Sequence, residues 1–141
     1  PRVFPVGRLD ADTEGLLLIT NDGDLAHQLT HPSFGTEKEY LAQVSTPLAA
    51  GALRRLRDGI ELDDGLTAPA EVSQPSPGLV RITIHQGRNR QVRRMLDAVG
   101  HPVERLVRVR IGPITDRRLP PGQWRPLTDD ERRALEAASG P

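Results

Sequence analysis

Gly7-Arg8-Leu9-Asp10-Ala11-Asp12-Thr13-Glu14-Gly15-Leu16-Leu17-Leu18-Ile19-Thr20-Asn21-Asp22-Gly23 puts an aspartate in turn-forming sequence just ahead of a glycine and a short apolar run. Such a run reads as a strand that enters a core. The turn before it then holds the Asp10 carboxylate at the lip of that core. Asn21-Asp22-Gly23 closes the run with turn chemistry, and Asp22 can cap a short helix from Gly23 to about Thr30.

Outward from that run, the chain reads as short strands and a few helices. Lys38 to Val44 reads as a strand. Thr46-Pro47 is an N-cap and first-turn pair for a helix reaching Asp58 and stopping at Gly59. Ile60 to Leu62, Ala68 to Ser73 and Leu79 to His85 read as strands, the last with Val80, Ile82 and Ile84 on one face. Pro75 to Gly78 reads as a turn. Asn89 is placed to cap a helix that Gly100 ends, with Val92, Met95, Leu96 and Val99 as its core stripe. Val103 to Ile111 is a long strand. Strict alternation there puts Val103, Val107, Val109 and Ile111 on one face, and Glu104, Leu106, Arg108 and Arg110 on the other. Pro120-Pro121-Gly122 breaks the chain, and Thr128 with Glu131 forms a capping box. Strands and helices without regular alternation predict an α+β fold, with a largely antiparallel mixed sheet and flanking helices.

The 141 residues are one domain's worth of chain, large enough to bury a real core. No cysteine is present, which removes disulfide and thiolate chemistry. No apolar run is long enough to span a bilayer, and no signal peptide is visible. Formal charge is zero, but its distribution is uneven. Ten arginines face three acids between Arg81 and Arg118, whereas twelve acids face four bases between Asp10 and Gly78. A basic half of that kind can face a polyanion. Equally, the two halves can attract each other. Arginine is abundant and lysine nearly absent, which suits planar phosphate contacts.

Three segments carry specific patterns. They are Gly7-Arg8-Leu9-Asp10 with its apolar run, Gln86-Gly87-Arg88-Asn89-Arg90-Gln91-Val92-Arg93-Arg94-Met95, and Arg105-Leu106-Val107-Arg108-Val109-Arg110-Ile111-Gly112. Together they resemble the pseudouridine synthases that modify ribosomal RNA, most closely the large-subunit branch. The resemblance runs from about Phe4 to Leu127. It implies the pseudouridine synthase catalytic-domain fold across residues 1–141, incomplete at the N-terminus and without the S4-type RNA-binding domain that members usually carry. It also implies a cytoplasmic protein that acts on a flipped-out uridine of ribosomal RNA, expected in the 23S molecule. No cofactor or metal is expected.

The resemblance makes Asp10 the catalytic carboxylate, acting as nucleophile or as the base that gives a glycal. Tyr40 would lie against the uracil. Arg93 would pair with Asp10 and favour its ionised form. Leu106 would pack on the base, and Arg8 would help displace or position the nucleotide. Arg88, Arg90, Arg94, Arg108 and Arg110 read as phosphate contacts. Five of these have a plainer alternative. Asp10 can cap a turn, Tyr40 can be an ordinary strand residue, Leu106 can be simple packing, and Arg8 can pair with Asp12. Arg93 can pair with Asp97 at i,i+4 for roughly 0.3–0.5 kcal/mol. Trp124 reads as an anchor for the C-terminal segment, and the four histidines as structural.

Asp10, Asp12 and Glu14 imitate the start of a calcium loop, but the twelfth position is Asn21 and the interior is leucine, so calcium is rejected. Glycoside hydrolysis is a weak alternative, because nothing identifies the acid that protonates a leaving group. The main competitor to the enzyme is a non-catalytic RNA-binding fragment using the Arg88–Arg110 face. A protein-interaction module is more distant.

Overall fold

The computed structural model describes residues 11–15, 24, 27, 36–88, 90–115, 130, 131, 133 and 134, with the backbone alone of 4–6 and 18–20. The elements run β1 (Phe4–Val6), β2 (Thr13–Gly15), β3 (Leu18–Thr20), β4 (Lys38–Val44), α1 (Ala50–Asp58), β5 (Glu61–Leu62) and β6 (Gly65–Leu66). They continue with β7 (Glu71–Ser76), β8 (Leu79–Ile84), α2 (Gln91–Ala98), β9 (Val103–Ile111) and β10 (Ile114–Thr115). A six-stranded sheet has the order β10-β9-β4-β8-β7, and β2 joins β9 as its parallel neighbour. All other pairings among the described residues are antiparallel. This is the α+β class, with a largely antiparallel mixed sheet and helices packed on it. Neither described helix is long and apolar enough to cross a membrane.

The core lies between one face of this sheet and the two helices. Ala42, Val44, Val72, Val80, Ile82, Ile84 and Leu106 of the strands meet Leu56 of α1 and Val92, Met95 and Leu96 of α2. Burying each of the larger side chains contributes about 1.5–3 kcal/mol. The β8 alternation is as expected, with Val80, Ile82 and Ile84 buried.

Three local expectations need correction. First, the Thr46-Pro47 start is wrong, since α1 begins at Ala50 and its N-cap Ala49 makes no side-chain bond. The cause is long-range. The Gln74 carboxamide accepts from Leu48 N–H at 2.9 Å and donates to Leu48 C=O at 3.1 Å, which holds residue 48 out of the helix. Gly59 does end α1, with φ 121° and its N–H bonded to Arg55 C=O at 3.0 Å. Second, β7 continues through Pro75 to Ser76, so the turn before β8 is shorter than expected. Asn89, Trp124 and Thr128, and most of the helix expected from Gly23, lie outside the described residues.

The third correction concerns β9. Its pairing with β4 slips twice, between Gln43 and Val44 and between Glu39 and Tyr40. Each slip inserts one extra β9 residue, and a bulge of this kind reverses which face the following side chains take. Strict alternation therefore fails. Leu106 and Arg108 lie opposite Ala42 and Tyr40, on the core side, and are only 4% and 2% exposed. Leu106 is no apolar exception on a solvated face, and Arg108 is not an open phosphate contact. Val107 and Ile111 do not share one face either, since Val107 pairs with Leu41 and Ile111 with Lys38, which lie on opposite sides of β4.

Gly15 seats β2. Its φ is 105°, and a Cβ there would stand 2.1 Å from the Arg108 carbonyl oxygen. Gly15→Ala is expected to cost about 1–3 kcal/mol from backbone conformation alone, and to loosen β2 from β9. Gly51, where an added Cβ would meet nothing within 4 Å, is the control, and Ala there should be neutral or stabilise by up to about 0.5 kcal/mol. Urea denaturation of both variants checks the contrast. Equal midpoints would contradict the close approach.

Candidate active site

The parallel register places Thr13 beside Leu106, and Gly15 beside Arg108. On the other edge of β9, Ala42 of β4 faces Leu106 and Tyr40 faces Arg108. Two rows thus cross the sheet, Thr13–Leu106–Ala42 and Gly15–Arg108–Tyr40. Tyr40 is half-buried and packs against the core. The chain entering β2 comes through Ala11 and Asp12, a turn.

Helix α2 fastens that turn. Arg90 grips Asp12 with both terminal nitrogens, Nη1 to Oδ1 at 2.9 Å and Nη2 to Oδ2 at 3.0 Å. Arg93 donates from Nη2 to the Asp12 backbone carbonyl at 2.6 Å, and its Nε lies 3.6 Å from Oδ2. Planar guanidinium forks make such two-point contacts specific. Arg90 is the N-cap of α2 and takes a left-handed φ of 53°, a conformation that favours glycine. Its side-chain grip on Asp12 is one constraint that holds it there. The Thr13 hydroxyl and Arg93 Nε are both buried and make no hydrogen bond among the described residues.

The loop before α2 is fixed as well. The Gln86 side-chain oxygen accepts from Ala68 N–H at 2.9 Å and from the Gln91 side chain at 3.0 Å. Arg88 donates to the carbonyls of Gly65 and Leu66 at 2.9 and 2.7 Å. Arg94 grips Asp64 at 2.9 and 3.1 Å, and its hydrogen bond is the main reason that the Asp64 carboxyl lies below the usual range.

Asp10 and Arg8 lie outside the described residues. Arg93 meets Asp12, two residues on from Asp10, and Asp97 is not its partner. Arg88 and Arg94 sit together on Asp64. Arg110 joins Glu37, Glu39 and the Gly112 carbonyl on the far side of the bulge. Arg81 pairs with Glu39, and Arg105 with Glu14. Seven arginines of the basic stretch, Arg81, Arg88, Arg90, Arg93, Arg94, Arg105 and Arg110, are therefore paired with acids of the acidic half. Asp12 is the residue that sequence reasoning undervalued. Its signal was its place between Asp10 and Thr13, but its partners lie 78 and 81 positions away.

Residues 1–98 match the model of a family described as RNA pseudouridylate synthase. An uncharacterized RNA pseudouridine synthase of Mycobacterium tuberculosis (strain ATCC 25618 / H37Rv) is 51% identical over 146 residues, covering 99% of this chain and 56% of that protein. The ribosomal large subunit pseudouridine synthase B of Bacillus subtilis (strain 168) is 44% identical, covering 96% of this chain and 58% of the relative. A crystal structure of a pseudouridylate synthase superposes with a TM-score of 0.89 at 38% identity, over 94% of this chain and 59% of the other. The chain spans little more than half the length of these relatives.

The Arg90 hydrogen bond, with the charges of Arg93 and Arg90, outweighs burial and lowers the Asp12 carboxyl from 3.8 to about 2. A depressed carboxylate contributes stability that is complete above its unfolded pKa and is lost as pH falls through the folded one. The turn is thus expected to stay fastened from neutral pH down to about 3.8 and to release around 2. An NMR titration of the Asp12 side-chain carbon tests this. A midpoint near 3.8 would mean that the two arginines do not hold it in solution.

Proposed function

The chain belongs to the RNA pseudouridylate synthase family, and on that premise we propose that it isomerises uridine to pseudouridine in ribosomal RNA, in the large subunit. The bond between N1 and ribose C1′ breaks, the uracil turns, and C5 joins C1′. The base loses the proton on C5 and gains one on N1, so no atom and no electron is lost overall. Asp10 opens the sequence, either by attacking C1′ or by taking a ribose proton to give a glycal. The uridine is turned out of the RNA, with Tyr40 against the uracil and Leu106 beneath it. The setting is the cytoplasm, where ribosomes are built.

The observation that carries this reading is the attachment of the turn before β2 to Arg93. Asp10 lies three residues ahead of Thr13, so its Cα is within about 11 Å of the Thr13 Cα. Thr13 is in register with Leu106, and the next row holds Arg108 and Tyr40. The turn that follows Asp10 is thereby tied to Arg93 and, through β2 and β9, to the rows of Leu106 and Tyr40, which supports the reading. Arg93 is well placed to hold a carboxylate ionised, because an adjacent guanidinium favours the charged form.

The competing reading, a non-catalytic fragment that binds RNA through Arg88 to Arg110, is less well supported. Arg88, Arg90, Arg94 and Arg110 are already in ion pairs, and Arg108 is buried. Exposed pairs of this kind are weak, commonly about 0–1 kcal/mol each, so RNA phosphates can still exchange for the carboxylates.

Asp10→Asn is expected to make no pseudouridine on unmodified ribosomal RNA, read by chemical labelling and primer extension, while RNA affinity persists. Arg93→Met should lower kcat about 100-fold through misplacement of the reacting groups, with much less effect on affinity. Pseudouridine formation by Asp10→Asn would end this assignment.

A further inference from the structure

Lys38 is the single lysine of the chain, among nineteen basic residues. It opens β4 and pairs with Ile84 of β8 and Ile111 of β9. The β4–β8 register is regular from Lys38 to Gln43, so Lys38 and Tyr40 share the core-facing side of the sheet. The lysine stem is half-buried, and its Nζ stands 3.8 Å from where a Cβ on Gly87 would be. Gly87 brings no side chain to cover the ammonium.

Among the described residues, the acids next to Lys38 in the chain are committed elsewhere. Glu37 and Glu39, its chain neighbours, pair with Arg110 and Arg81. Asp12, Glu14 and Asp64 also hold arginines. The Lys38 ammonium has neither an ion pair nor a hydrogen bond among the described residues. It is pushed below the ordinary lysine range, first by burial and then by the positive charge of Arg108. A half-buried cation beside another cation is costly, and an arriving anion relieves both penalties.

We propose that Lys38 binds a backbone phosphate of the RNA next to the uridine held against Tyr40; this rests on the RNA-modifying reading above. A phosphate carries a full negative charge, which a uracil carbonyl does not. The residue type fits the task. A compact ammonium at the end of a flexible stem can meet a phosphate oxygen from any direction, whereas a guanidinium fork needs a planar approach. Arg81, Arg90, Arg93 and Arg110 hold the protein's own carboxylates, whereas the Lys38 ammonium holds none among the described residues.

The single lysine makes a test on the unaltered protein possible. Acetylation of Lys38 is followed by mass spectrometry, in the full chain, with and without an unmodified ribosomal RNA transcript, and pseudouridine is mapped in the same samples. Bound RNA is expected to protect Lys38. Lys38→Met should weaken RNA binding about 10-fold, as loss of a charge-assisted contact would, and make the salt dependence shallower by about 0.7–0.9 in log–log slope. Lys38→Arg should recover most of the slope. Unprotected Lys38 under bound RNA, or an unchanged slope in a folded Lys38→Met variant, overturns the contact. If Lys38→Met fails to fold, protection in the unaltered protein decides. Pseudouridine made with Lys38 unprotected removes this contact and leaves the reaction standing. Protection and a lowered slope without pseudouridine keep the contact and remove the reaction. Absence of RNA binding removes both.

Discussion

The parallel seating of β2 on β9 is the constraint from which the site follows. Only three residues of β2 pair, yet they fix Thr13 against Leu106 and Gly15 against Arg108. The contact is so close that the Gly15 position has no room for a Cβ. Because β9 also pairs along its whole length with β4, the same register carries Tyr40 into place. A slip of one residue between β2 and β9 would turn the side chains to opposite faces and separate the turn at Ala11–Asp12 from the rows that hold Leu106 and Tyr40.

A second set of contacts joins the two unequally charged halves of the chain. Arg81, Arg88, Arg90, Arg93, Arg94, Arg105 and Arg110 each meet an acid from between Asp12 and Asp64. Individually these exposed pairs add little stability. Their value lies in geometry, because a two-point guanidinium contact fixes orientation as well as distance. Arg90 and Arg93 fasten the turn before β2, Arg88 and Arg94 clasp the β5–β6 hairpin, and Arg110 and Arg81 hold Glu39 on the face away from Tyr40. Among the described residues, the fold thus brings arginines of the basic half onto acids of the acidic half.

Local sequence made much of the architecture legible. The limits of β4 and β9 follow from apolar and charged alternation bounded by turn residues, and Val80, Ile82 and Ile84 were readable as one buried face. Gly59 and Gly100 were readable as helix ends, since both take the positive φ that glycine tolerates. What failed did so through partners distant in sequence. Gln74 removes Leu48 from the first helix, and neither residue announces the other. The two bulges in β9 are set by its pairing with β4, so the true core positions, Val103, Leu106, Arg108 and Ile111, could not be found by counting in twos. Burial of Arg108, a residue type that usually faces solvent, is the clearest result of that failure.

The short strands β1, β2, β6 and β10 were not read from the sequence. By itself, it determined the types of the longer elements, the α+β class, the charge asymmetry and the three motifs that mark the family. Those are short-range properties, set by turn chemistry, side-chain periodicity and residue identity within a few positions. The tertiary structure alone decided which arginine meets which acid, which face of β9 enters the core, and that Lys38 meets no carboxylate among the described residues. Those are properties of register between strands far apart in the chain, where a shift of one residue exchanges the two faces of the sheet.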